Sequence, residues 1–150
     1  MNKETNFLVK KDKDNQFLFK LSDFGFACFD LDCKLNDSLS ISDFDFSTSA
    51  LKRKYYKLCG TPYYMAPEMI KNQPHNHTLD IWALGILLYE LVHGQAPFTG
   101  SHPRHISEKI MQGVIRFKPG LSNEYKDLVN SLLKFETGDR LPLIKVFDHP

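Results

Sequence analysis

Residues 80–93, DIWALGILLYELVH, constrain the fold more than any other stretch of the chain. Ile81, Trp82, Leu84, Ile86, Leu87, Leu88, Leu91 and Val92 fall on every side of a helix drawn through them. A surface helix keeps a polar stripe, so one that is apolar all round is expected to be buried. It is too short to cross a bilayer. Thr78 reads as its N-cap, Asp80 puts a carboxylate near the positive end of the helix dipole, and Gly94 is a natural stop. The expected architecture is mainly α, with helices packed around a buried central one.

A chain of 150 residues can bury such a helix within one domain. Its net charge of +1 argues against a nucleic-acid partner or a membrane surface. The first 15 residues are mostly charged and polar, so no signal peptide is expected. Cys28, Cys33 and Cys59 are odd in number and form no Cys-x-x-Cys pair. That favours a reducing, cytoplasmic setting without a disulfide framework. Zinc at Cys28 and Cys33 is disfavoured, because no second pair matches them.

Two apolar runs, 6–9 and 17–21, flank the charged turn segment KKDKDNQ and predict a small antiparallel ribbon. Asp23-Phe24-Gly25 follows, and on its own reads as a turn. Residues 26–57 are rich in Ser and Asp, turn basic at Lys52, Arg53 and Lys54, and show no sustained period. Such a loop is either a regulatory segment or a solvated tether. Its hydroxyls, Ser38, Ser40, Ser42, Ser47, Thr48 and Ser49, are candidate phosphate acceptors. The stretch CGTPYYMAPEMI, 59–70, is punctuated by Gly60 and two prolines and leads into a short helix at 67–70, with Glu68 in its first turn. His75 and His77 lie in a polar loop without a ligand partner in register. Further helices are expected at 104–111, at 124–135 with Ser122 as cap, and at 142–147. His102, His105 and His149 read as surface or helix-end residues without chemistry.

The ordered set of motifs resembles the C-terminal lobe of a eukaryotic protein kinase of the serine/threonine-specific group. Lys3-x-x-Asn6 resembles the tail of the catalytic loop, and Asp23-Phe24-Gly25 follows at the family's short distance. Then come Gly60-Thr61-Pro62-Tyr63-Tyr64-Met65-Ala66-Pro67-Glu68, Asp80-Ile81-Trp82 with Gly85, Pro97-Phe98, Arg140 and a closing His149-Pro150. The resemblance implies ATP and Mg²⁺ as cofactors and a protein substrate. Asp23 and Asn6 would hold Mg²⁺, and Lys3 would neutralise the transferred phosphoryl group. Phe24 would pack between the lobes. Gly60, Thr61, Pro62 and Tyr64 would form the platform under the substrate residue next to the acceptor. Glu68 and Arg140 would make a buried ion pair, and Asp80 would accept hydrogen bonds from the catalytic-loop backbone. The division implied is 1–25 for the catalytic-loop end and ribbon, 26–68 for the activation segment and 69–150 for the helical lobe.

The departures bear on activity. Counting back from Lys3, the family's catalytic aspartate falls on Met1. No Gly-x-Gly occurs, so no glycine-rich loop covers the phosphates, and the Val-Ala-Ile-Lys strand is missing. The chain is therefore expected to be an incomplete copy without the N-terminal lobe, inactive alone, with that lobe or a partner covering its upper surface around Phe7, Val9, Phe24 and Phe26. Lys57 occupies the position where many relatives carry a phosphorylatable threonine. Activation would then use Ser47, Thr48, Ser49, Tyr55 or Tyr56, or no phosphate. The alternative is a pseudokinase-like lobe that binds a protein without catalysis.

Overall fold

The structure, a computed structural model, describes residues 7–25, 27 and 61–150. Strands β1 (Phe7–Lys11) and β2 (Phe17–Leu21) pair antiparallel, with Val9 opposite Phe19 and Lys11 opposite Phe17. The hairpin closes where the Asp12 carboxylate accepts the N–H groups of Asp14 and Gln16, and Asn15 takes the left-handed conformation such a turn needs. Side chains from Leu8 to Leu21 are all exposed.

A 3-10 turn, Pro62–Tyr64, leads into α1 (Pro67–Ile70), and proline at the first helical position suits that start. The remaining helices are α2 (Thr78–His93), α3 (Pro103–Gln112), α4 (Asn123–Leu132) and α5 (Leu143–Val146). A second 3-10 turn, Thr137–Asp139, joins the last two. Among the described residues, no helix is long and apolar enough to cross a membrane.

The central helix expected at 80–93 is α2, and α4 packs along it. Trp82, Ile86 and Tyr89 from α2 meet Ala96 and Phe98 from the following turn, Ile106 and Ile110 from α3, and Val129 from α4. Trp82 stacks on Phe98 with 6.0 Å between ring centroids and 9° between planes. Two expectations for α2 need correction. Its burial is one-sided, because Leu91 and Val92 are exposed. Its buried residues are Ile81, Trp82, Gly85, Ile86, Tyr89 and His93, a helical stripe, so sequence apolarity overstated the buried arc. Nor is Thr78 the cap: it is the first helical residue, and Asn76 Oδ1 accepts both its N–H at 3.0 Å and its hydroxyl at 2.8 Å. Gly94 ends α2 at φ 76°, a left-handed conformation that glycine adopts without penalty.

Helix α4 is capped by Ser122, whose Oγ accepts the Tyr125 N–H at 3.1 Å. It stops before the expected residue 135, because Leu133 leaves helical geometry at φ −92°, ψ 38°. That departure coincides with Leu133 lying in the core against Gly85. His149 is not a surface residue as expected. Its side chain is nearly buried and pairs with Asp127 of α4 at 3.0 Å, tying the end of the chain to the helical body.

Candidate active site

Two groups of candidate residues fall within the described structure. The first follows β2. Asp23 is in the left-handed region at φ 61°, which aspartate tolerates better than most residues but still at a cost of about 1–2 kcal/mol. Its Oδ1 accepts the Gly25 N–H at 3.3 Å, and the carboxylate is otherwise open to solvent. A Cβ on Gly25 would stand 3.2 Å from that oxygen, a tight contact that the carboxylate would have to shift to relieve. Phe24 is 66% exposed, and the packing expected of it lies beyond the described residues. Lys3 and Asn6 also lie outside them, as do Gly60, Lys57, Ser47, Thr48, Ser49, Tyr55 and Tyr56.

The second group is the turn that carries Thr61, Pro62 and Tyr64. Tyr64 N–H closes the turn on the Thr61 carbonyl at 2.9 Å. The turn rests on α2 and α3, and the Tyr64 hydroxyl donates to Glu90 Oε2 of α2 at 2.6 Å. Burial pushes the Tyr64 phenol far up, and the Glu90 bond and charge push it further, so the hydroxyl stays a donor. Thr61 remains exposed at the edge. Glu90 was missed by sequence reasoning. The Tyr64–Glu90 bond spans 26 residues, and only the fold brings the two together.

Below this turn the structure joins Glu68 and Arg140. Arg140 Nη1 and Nη2 donate to Glu68 Oε1 and Oε2, each at 2.7 Å, with the residues 3% and 5% exposed. Bidentate pairing with both groups desolvated is the strong form of this contact. Arg140 also reaches the Thr78 carbonyl at the start of α2 and the Lys134 carbonyl after α4, and its guanidinium lies 5.2 Å from the Trp82 ring centre. One side chain therefore ties the segment leading from the turn to the start of α2 and to the chain just after α4. Asp80 sits in the first turn of α2 and keeps solvent access. Partial burial raises its carboxyl, and nearby His77 opposes the rise. The catalytic-loop backbone expected to meet it lies outside the described residues.

Among the described residues, no cluster of three or more His, Cys, Asp or Glu side chains converges on a metal position. The Asp23 carboxylate nonetheless fits Mg²⁺. It offers hard oxygens, it is open, and Mg²⁺ commonly takes one or two protein carboxylates with the rest of its shell from water and substrate phosphates.

A family model described as the protein kinase domain matches residues 31–150. Aurora kinase A-A of Xenopus laevis is 39% identical over 115 residues, covering 77% of this chain and 28% of that protein. Aurora kinase C of Mus musculus is 38% identical over 118 residues, covering 77% and 42%. Serine/threonine-protein kinase Aurora-1 of Arabidopsis thaliana is 39% identical over 114 residues, covering 75% and 38%. The chain spans less than half the length of each of these relatives. The family match begins after Asp23-Phe24-Gly25, so that turn stands on its own motif and geometry.

Proposed function

Because the chain belongs to the protein kinase family, we propose that it is the helical-lobe portion of a serine/threonine protein kinase, which transfers phosphate from ATP to protein hydroxyls. The carrying observation is the buried Glu68–Arg140 pair, which fixes the chain directly after the Thr61–Tyr64 turn. A substrate backbone laid across a turn held this firmly meets a preorganised surface, and preorganisation is where most phosphoryl-transfer catalysis resides. We assign Thr61, Pro62 and Tyr64, with Gly60, to that platform, and Glu90 to its support.

Asp23 and Asn6 would hold Mg²⁺, which when bound neutralises charge on the nucleotide phosphates. The left-handed backbone at Asp23 turns its carboxylate outward, and Gly25 N–H steadies one oxygen. Lys3 would face the transferred group as a point charge. On that assignment the position of the residue that takes the acceptor hydroxyl's proton falls on Met1, a side chain that cannot act as a base. In our reading residues 1–25, 26–68 and 69–150 are the catalytic-loop end and ribbon, the activation segment and the helical lobe. The N-terminal lobe covers the exposed ribbon, and the setting is the cytoplasm.

The test is a phosphoryl-transfer assay on the native polypeptide, captured through residues 100–150, with ATP, Mg²⁺ and a serine/threonine peptide. We expect turnover that falls at least about a hundredfold on Asp23→Ala, while residues 1–150 alone give none. Turnover unaffected by Asp23→Ala would overturn the assignment. A second reading, a lobe that binds a protein without catalysis, is favoured by the exposed apolar ribbon. It predicts a native polypeptide that begins at Met1 and has no transferase activity.

A further inference from the structure

Beside the core lies a trough that the proposed reaction does not use. Its volume is about 490 Å³, within the range of small-molecule sites. The end of α3 bounds it on one side, and α4 with the residues just after it bounds the other. Trp82 of α2, Ile110, Ile115, Leu133 and Phe135 give it apolar walls. Gly113, at φ 65° after the last turn of α3, leaves that edge without a side chain. The opposite wall is held in place, because the Lys134 carbonyl accepts the Nε–H of buried Arg140 at 3.0 Å.

The polar groups of the lining are unbalanced. Trp82 is 1% exposed, and its Nε1–H finds no acceptor among the described residues. Buried donors are almost always paired, so an unmet one marks a place where a partner belongs. The Asn130 amide and the Lys134 ammonium also line the trough and have no partner among the described residues. The lining's one carboxylate, Asp127, is already paired with His149 at 3.0 Å. A further cation, Lys71, stands 4.1 Å from the centre of the Phe135 ring and adds positive charge to that wall. Three unmet donors beside an occupied carboxylate suit an anionic acceptor.

We propose that this trough binds a small organic acid. Its apolar body lies against Ile110, Ile115 and Phe135, and its carboxylate accepts from Trp82 Nε1–H and the Asn130 amide and faces the Lys134 ammonium. The flexible stem of Lys134 lets that charge follow the carboxylate. Inorganic phosphate or sulfate is a poorer occupant, because it brings no apolar surface for the walls to bury.

The experiment titrates the full native polypeptide, ¹⁵N-labelled at tryptophan, with 4-phenylbutyrate and with its uncharged amide, 4-phenylbutyramide. Trp82 is the only tryptophan of the 150 residues, and Trp82→Phe identifies its indole signal. The acid should shift that signal and saturate it, and calorimetry should give the acid an affinity about tenfold above the amide's, the scale of a hydrogen bond to a charged group. Lys134→Gln, at an exposed position, should weaken the acid about tenfold and leave the amide unchanged. The proposal fails if the indole signal does not move with the acid, if acid and amide bind alike, or if Lys134→Gln binds the acid as the wild type does. A signal that moves with protein concentration alone assigns the trough to a second copy. One protected from exchange and unmoved by either probe assigns it to a covering protein segment. Both outcomes overturn the proposal. Should Trp82→Phe not fold, the acid–amide comparison and Lys134→Gln decide by calorimetry alone.

Discussion

Arg140 has five N–H donors, and each has an acceptor inside the helical body. Glu68 takes two at 2.7 Å, the carbonyls of Thr78 and Lys134 take one each at 2.9 and 3.0 Å, and the Phe135 carbonyl is reached at 3.5 Å. Arg140→Lys keeps the charge but cannot reproduce the planar fork, so it strands a buried carboxylate oxygen and at least two carbonyls. We expect a loss of about 3–5 kcal/mol, read as a lower urea midpoint at unchanged slope. A loss below about 1 kcal/mol would mean that water enters and replaces the fork. The resemblance to kinases named the Glu68 partner in advance. The carbonyl acceptors could not be named, because a backbone carbonyl carries no signature in the residue that bears it. His149 escaped for another reason: its partner, the Asp127 carboxylate, is set by the chain's path and not by local spacing.

Between helices, α2 comes tightly against the end of α4 at Gly85. A Cβ built there would stand 2.8 Å from Leu133 Cγ and Cδ2 and 3.0 Å from Leu132 Cβ. Gly85→Ala gains about 1 kcal/mol of helix propensity but overpacks the α2–α4 contact at a cost of about 1–3 kcal/mol. We expect net destabilisation with a lower melting temperature. Adding Leu133→Ala should recover part of the loss, so the double variant is more stable than the sum of the single effects. Additive effects would show that α4 simply shifts away. Helix positions, the Ser122 cap and the Gly94 stop were legible because each depends on a few consecutive residues. The Asn76 contact at the start of α2 was obscured by Thr78, a good capping residue two positions on. The end of α4 was not legible, since apolar periodicity continues through Leu133, the residue that leaves helical geometry and lies against Gly85.

At the scale of the whole molecule, the ribbon is the part that the described residues leave uncovered. Strand register puts Val9, Lys11, Phe17, Phe19 and Leu21 on one face, and the described apolar members are all more than half exposed. The rings of Phe17 and Phe19 lie 6.3 Å apart, and the Lys11 ammonium stands 4.9 Å above Phe17. A two-stranded ribbon is marginal in water without a surface to pack on. If the N-terminal lobe of a kinase covers this face, substitution there must have opposite effects in two settings. In residues 1–150 alone, Phe17→Lys with Phe19→Lys removes exposed apolar surface, so self-association measured by light scattering should fall and stability should change little. In the full native polypeptide the same pair buries two charges against the covering lobe and forfeits about 2 kcal/mol per phenylalanine, so the melting temperature should drop sharply. Equal, small effects in both settings would mean that the face stays in solvent even in the full native polypeptide. The non-catalytic binding lobe would then be the better account of why these aromatics are there.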